Sequence, residues 1–271
     1  MNHPTSRLWA LRANQAAPSR YVLTSKIYFL NLSKPKEYKQ KSIFTKMEKE
    51  IFLLGIDDAG RGPIIGPMVL AGIIINKKDE LKLKNLGVDD SKKLTPEKRE
   101  ELSKILRKDY KFHYELASVE EIDLRSKVGT NLNRIEAVKA AKIINELIKN
   151  KEEVIEVIID CPSTNLEAWR NCVLQYVGKK DKINLKVEHK ADANHICVSA
   201  ASIIAKTTRD NEIAKLKQEL GLEIGSGYPS DPITCACLNK NLNFLLEKGV
   251  IRKTWATFED IKAKNEQKKL F

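Results

Sequence analysis

The chain has 271 residues, 42% of them hydrophobic, which is enough for a sizeable core in one large domain or two small ones. No window approaches 18 consecutive apolar residues, so the sequence encodes no membrane-spanning helix. The net charge is +12, but residues 1–46 carry nine bases and one acid, Glu37, so eight of the twelve excess charges lie there. The mild excess over the rest does not by itself indicate nucleic acid, and local patches have to carry that argument.

Residues 1–46 are Ser-, Lys- and Arg-rich and weakly periodic. Three readings fit this basic extension. It is a transit peptide, a disordered arm for nucleic acid, or translated upstream sequence with Met47 as the native start. Met47-Glu48-Lys49-Glu50 runs straight into the first strand, as a native start would.

Ile51–Leu54 and Met68–Ile75 read as buried strands of a hairpin. Between them lies Gly55-Ile56-Asp57-Asp58-Ala59-Gly60-Arg61-Gly62-Pro63-Ile64-Ile65-Gly66-Pro67. A loop this rich in glycine lets backbone approach a ligand closely. Adjacent carboxylates at a strand end, beside a bare basic loop, point to a metal held against a phosphate.

Further on, Thr95 is a natural N-cap and Pro96 fits the first position of a helix striped by Leu102, Ile105 and Leu106. Ser91-Lys92-Lys93, just before it, reads either as a solvated helix start or as a phosphate contact. Tyr110–Ala117 alternates like a strand with one wet face. A short helix over Ser118–Lys127 follows, then Asn131 and Asn133 as caps. The next helix runs from about Arg134 to Lys149, with Ile135, Val138, Ala141, Ile144, Leu147 and Ile148 inward.

Val154–Asp160 is a strand ending in an aspartate, followed by a helix over Leu166–Tyr176 and a strand over Asn184–Glu188. Asp192 stands at the mouth of a small-residue helix that begins near Ile196 and continues to about Leu220. Gly225–Pro232 is a tight loop, Ile233–Glu247 a last helix, and a charged tail follows Trp255. A hairpin followed by alternating strands and helices predicts an α/β fold with a mixed sheet. We expect a catalytic domain over 47–215 and a helical C-terminal part over 216–271.

Asp57, Asp58 and Asp160 fall at strand ends, where ligands of open α/β sheets gather, and Asp192 at a helix mouth. Converging carboxylates repel unless cations sit among them. Oxygen ligands favour Mg²⁺ or Mn²⁺, and a pair of such ions serves phosphodiester hydrolysis. Taken singly, each aspartate reads equally as a cap. Neighbours on a strand face opposite ways, so Asp57 and Asp58 can both serve only if the strand is ending there. His189 and His195 flank Asp192 but are too few for zinc, and Cys235-x-Cys237 lacks a second ligand pair. The five cysteines have no framework spacing, as expected of reduced thiols in a cytoplasmic protein. Tyr228 reads either as a ring that stacks on a sugar or base or as one that packs the turn.

The stretch Gly55–Pro63 resembles the opening motif of ribonuclease HII (type 2 ribonuclease H). Asp90-Ser91-Lys92-Lys93-Leu94, Lys190-Ala191-Asp192, Val198–Lys206 with Arg209-Asp210, and Gly225–Pro232 resemble its later motifs, in order. The resemblance spans about Glu50 to Trp255; Cys161-Pro162-Ser163 and Gly225–Pro232 look like the archaeal and eukaryotic branch, and the compact length from Met47 favours an archaeal, single-chain form. It implies a ribonuclease H-like mixed sheet flanked by helices, in a cytoplasmic monomer. It also implies Mg²⁺- or Mn²⁺-dependent hydrolysis of RNA in RNA–DNA hybrids and incision at ribonucleotides embedded in duplex DNA, leaving 3′-hydroxyl and 5′-phosphate ends.

Carried over by motif, the catalytic and metal-binding carboxylates are Asp57, Asp58, Asp160 and Asp192. Gly60, Arg61 and Gly62 would sense the ribose 2′-hydroxyl through backbone groups, Tyr228 would stack on the neighbouring sugar, and Ser91 and Lys92 would hold backbone phosphate. Asp160 rests on its strand-end position and the order of motifs. The family usually has glutamate where this chain has Asp58, one methylene shorter, so activity is expected to survive with a lean toward Mn²⁺. Gln267-Lys268-Lys269-Leu270-Phe271 faintly resembles a sliding-clamp-binding peptide without its aromatic pair. The competing readings are a resolvase-like metal nuclease and a nucleic-acid-binding module that has lost catalysis.

Overall fold

The structure, a computed structural model, describes residues 50–89, 91–125 and 127–268, with side chains up to residue 263. Strands β1 (Phe52–Ala59) and β2 (Met68–Asn76) form an antiparallel hairpin at the centre of a five-stranded sheet. Strand β3 (Lys111–Ala117) pairs antiparallel with β2, β4 (Ile155–Asp160) parallel with β1, and β5 (Ile183–Glu188) parallel with β4. The sheet order is β3-β2-β1-β4-β5, the mixed sheet expected from the sequence. β1 and β2 are near-continuous apolar runs because helices cover both faces of the sheet there.

The helices are α1 (Glu80–Asn85), α2 (Pro96–Asp109), α3 (Val119–Leu124), α4 (Leu132–Ile148), α5 (Leu166–Tyr176), α6 (Ala191–Asn194), α7 (Ile196–Leu220), α8 (Pro232–Glu247) and α9 (Ala256–Lys268). Thr95, Ser118, Asn131 and Asn165 each cap a helix through the side-chain oxygen. Such a cap contributes about 1 kcal/mol and fixes where the chain turns in.

On one face α4 and α5 pack Ile143, Ile144 and Leu147 against Leu54, Ile56 and Leu70. On the other, α7 and α2 pack Ala200, Ile204 and Leu102 against Leu53, Ile73 and Ile75. α7 is apolar or small almost all round because it is buried almost all round. Its approach depends on Gly55, where a Cβ would lie 2.2 Å from the carbonyl carbon of Cys197.

A third apolar cluster joins Ile64 and Ile65 to Ile213, Leu238, Leu245 and Ile251. The boundary expected at residue 215 falls inside α7, which runs unbroken to Leu220, and Glu48–Phe271 forms one compact unit.

Several local expectations differ. Residues 77–85, left without a helix, form a 3-10 turn and α1, anchored by the single buried Leu83 among lysines. β3 lacks clean alternation, since it is an edge strand with both of its faces partly covered. Ala256–Lys268, read in the sequence as a charged tail, form α9, with Phe258 buried in the third cluster. Val138 is only half-buried, while the charged Glu136 and Lys139 of the same helix are buried. Among the described residues no helix is long and apolar enough to cross a membrane.

Candidate active site

The site forms where β1 outlasts its neighbour. The β1–β4 register ends at Ile56 opposite Ile159, whereas β1–β2 pairing continues to Ala59 opposite Val69. Asp57 and Asp160 are therefore the next residues on two adjacent strands, at an opening in the sheet. Alternation sends the side chain of Asp57 to the α7 side and that of Asp58 to the α4 side. Both line the opening although β1 itself runs on to Ala59, paired with β2: it is the pairing with β4 that stops, not the strand that carries the pair.

Asp57, 6% exposed, accepts a hydrogen bond from the Asp58 amide at 2.8 Å and another from the Ser202 hydroxyl. The Ser202 hydroxyl is in turn 2.7 Å from that of Ser91, so Ser91 is buried beneath the cluster. Asp160 accepts from the Ala191 amide at 2.8 Å, and the Ser199 hydroxyl donates to the Asp192 carbonyl at 2.6 Å. These two bonds pin the short α6, which carries Asp192. The Lys92 ammonium lies 3.3 Å from Asp192 Oδ2 and pulls on Asp58 and Asp160 as well.

The electrostatics follow from crowding. Burial first, then the charges of Asp58 and Asp160, push the Asp57 carboxyl well above the usual range. Burial raises Asp58 to about 6 against the pull of Arg61, and Asp160 is also raised, chiefly by burial. An anionic cluster held at this cost is relieved by positive charge, which Lys92 supplies in this structure. The donor set is entirely carboxylate oxygen, which suits Mg²⁺ or Mn²⁺.

The loop after β1 is set by Gly60, whose φ of +84° is a left-handed conformation natural only to glycine. Arg61, still about a third exposed, lays its guanidinium onto α4, pairing with Glu136 Oε2 and donating to Asn133 Oδ1 at 2.7 Å. Glu136 is 1% exposed, and its other oxygen, Oε1, has no hydrogen-bond partner among the described residues. Burial and the neighbouring Asp58 charge raise its carboxyl to about 8. Gly62 is exposed, and a Cβ there would meet the Tyr228 ring at 3.4 Å. Tyr228 also lies 5.3 Å from the Arg209 guanidinium.

Apart from Asp192, every catalytic, metal-binding or substrate-binding residue carried over by motif lines one cleft of about 240 Å³. Asp192 borders it through its bond to Lys92. Sequence reasoning missed Glu136, which sits one helical turn after Asn133, and Arg99, and it gave no role to Ser202 and Lys206 of the Val198–Lys206 motif; these also line the cleft or its floor. A charge at an inward position of an apolar helix was the available signal for Glu136. Arg99 donates to the carbonyls of Ser91 and Leu94 and so shapes the Ser91–Leu94 turn.

A family model described as ribonuclease HII matches residues 54–258. The chain belongs to the ribonuclease HII family. It is therefore a ribonuclease H, an endonuclease acting on the RNA of RNA–DNA hybrids. A ribonuclease HII of Methanococcus maripaludis is 44% identical over 223 residues, covering 81% of this chain and 90% of the relative. The crystal structure of ribonuclease H2 from Pyrococcus horikoshii is similar at 35% identity and a TM-score of 0.67, covering 80% of this chain and 99% of that one. A solved PCNA:RNase HII complex from Archaeoglobus fulgidus matches at 36% identity and a TM-score of 0.66, covering 76% and 95%. The sheet and its helices are thus the ribonuclease H-like fold that the sequence predicted.

Proposed function

We propose that this ribonuclease HII also incises duplex DNA at single embedded ribonucleotides, by two-metal hydrolysis that leaves 3′-hydroxyl and 5′-phosphate ends. The gathering of four buried or half-buried carboxylates at one sheet opening, beside a loop of nearly bare backbone, carries this reading. Asp57, Asp58, Asp160 and Asp192 would hold Mg²⁺ or Mn²⁺, which supplies Lewis acidity for phosphodiester hydrolysis and a more acidic attacking water. Lys92 bridges this cluster and solvent, where it would meet a backbone phosphate. Ser91 acts from below, since its hydroxyl is engaged with Ser202. Gly60, Arg61 and Gly62 would offer backbone to the ribose, whose 2′-hydroxyl distinguishes RNA from DNA. Tyr228, against Gly62, would stack on the adjoining sugar.

The deciding experiment offers a DNA duplex with one ribonucleotide, an RNA–DNA hybrid and an all-DNA duplex, each in Mg²⁺ and in Mn²⁺. Cleavage of the first two is expected, with the all-DNA duplex intact. Cleavage of the hybrid alone would refute incision at single ribonucleotides. A resolvase-like nuclease would cut all-DNA substrates, and a bare binding module would cut nothing.

Asp58→Glu tests the shortened ligand. The wild-type protein is expected to favour Mn²⁺ over Mg²⁺ more strongly than the variant does, because Mg²⁺ demands stricter geometry. Equal metal preference in the two proteins would show that the missing methylene has no consequence. The complex solved for the Archaeoglobus fulgidus protein supports a sliding clamp as partner of this chain too. The candidate clamp peptide, 267–271, lies outside the residues whose side chains are described. Deleting it is expected to weaken clamp binding, and unchanged affinity would end that assignment.

A further inference from the structure

We infer that Arg252, outside the carboxylate cluster, is a positioning residue for ribose recognition: it fixes which backbone groups the Gly60–Arg61–Gly62 loop offers to substrate. The inference rests on the reading of that loop given above. Arg252 is 0% exposed, a buried guanidinium between the C-terminal core and the loop. It donates from Nη2 to the Gly60 carbonyl at 2.7 Å, from Nη1 to the Arg61 carbonyl at 3.0 Å, and from Nε to the Gly66 carbonyl at 2.9 Å. The indole of Trp255 donates to the next carbonyl, Gly62, at 3.1 Å, and its ring lies 4.9 Å from the Arg252 guanidinium. Three successive loop carbonyls are thereby bound from one side by one short segment.

Peptide geometry turns this into a statement about the other side. In a planar trans peptide the C=O of one residue and the N–H of the next point in opposite directions. Holding the Gly60 and Arg61 carbonyls on Arg252 therefore aims the Arg61 and Gly62 amides away from it. Gly60, Arg61 and Gly62 line the cleft. Among the described residues no backbone carbonyl takes up the Arg61 or Gly62 amide. The loop thus presents donors, fit to meet a hydroxyl or phosphate oxygen, while its acceptors are spent inside. A free loop with a glycine on each side of Arg61 would flip these planes easily.

The segment is itself held. The Asp123 carboxylate on α3 accepts from the Lys253 amide at 2.9 Å and from the Thr254 amide and hydroxyl at 3.3 and 3.1 Å. The Arg252 amide donates to the Ile64 carbonyl at 2.8 Å. Burying a guanidinium is costly even with carbonyls and an indole ring around it. A hydrophobic side chain would fill the same space more cheaply, so the cost points to a role in aiming the loop.

The test measures binding of the full chain, in EDTA, to a labelled DNA duplex with one ribonucleotide and to its all-deoxy counterpart. Arg252→Lys and Trp255→Phe are compared with wild type, and circular dichroism checks folding. The wild type is expected to prefer the ribonucleotide duplex. Arg252→Lys should lower that preference about tenfold, through weaker binding of the ribonucleotide duplex alone. Trp255→Phe keeps the ring, loses one carbonyl bond and should lower the preference by a smaller factor; it decides the matter if Arg252→Lys does not fold. A wild-type preference kept by every folded variant overturns this inference alone, as does equal weakening on both duplexes. No preference in the wild type overturns the reading of the loop and this inference with it.

Discussion

Asp57→Asn is expected to cost at least about 10³-fold in hydrolysis, roughly 4 kcal/mol of transition-state stabilisation, while raising the melting temperature of the metal-free protein. Both effects have one cause. The carboxylate is buried, and its charge is opposed by burial and by Asp58 and Asp160. Asparagine keeps the oxygen that accepts the Asp58 amide and removes the charge. Relief of such repulsion is worth on the order of 1 kcal/mol, or about 2–4 °C for a protein of this size.

The pH dependence follows with its sign. Asp57 is raised, Asp58 to about 6 and Glu136 to about 8. Below the unfolded carboxylate values, about 4, folded and unfolded chains both hold these protons and nothing is lost. As pH rises from there through the folded values, the unfolded chain releases protons that the folded one retains, so stability falls. In EDTA the wild-type melting temperature is therefore expected to climb as pH is lowered from about 8 to about 6. The climb should be smaller in Asp57→Asn, because the raised Asp57 carboxyl no longer titrates. A melting temperature lowered by the substitution, or activity within tenfold of wild type, would refute the placement of Asp57 among repelling carboxylates that serve catalysis.

Gly55→Ala is expected to be the most damaging small substitution in the sheet. Its Cβ would lie 2.2 Å from the Cys197 carbonyl carbon and oxygen and 2.5 Å from the Val198 amide nitrogen. These are backbone atoms and cannot rotate aside, so β1 and α7 must separate. That layer carries Leu53, Ile73, Ala200 and Ile204, and both Asp57 and Ser202 sit on its two sides. We expect a loss of at least about 4 kcal/mol, or failure to fold. Gly178→Ala is the control: its nearest neighbour would be Asn145 Oδ1 at 3.8 Å, and it should stay within about 0.5 kcal/mol of wild type. Chemical denaturation distinguishes the two, and equal stability would mean that the sheet and α7 are not in backbone contact.

Much of the fold was legible because local signals agreed. Thr95 and Ser118 cap the helices expected of them, and the apolar runs of β1, β2 and β4 fall where strands form. α1 was not legible, since its one buried anchor, Leu83, stands among lysines that look like a solvated loop. The helix after Trp255 was missed because its tertiary partner, the third apolar cluster, draws on residues nearly 200 positions apart, Ile64 and Phe258 among them. In the candidate site, the four carboxylates proposed as ligands were named from strand-end position and motif. Glu136 and Arg252 did not, since each acts through a contact with residues 75 or more positions away.

The sequence by itself determined the family and named the candidate carboxylates and glycines. The composition of a site is a chain-local property, carried by residue identity and short spacing. Only the tertiary structure decided how the pieces work together. It showed that β1 outlasts β4, so that two neighbouring aspartates on opposite faces open onto one cleft. It also showed that a guanidinium from the far end of the chain holds the carbonyls of the Gly60–Gly62 loop. Register and burial depend on partners distant in sequence, and no local pattern encodes which strand ends first or which arginine is drawn inside.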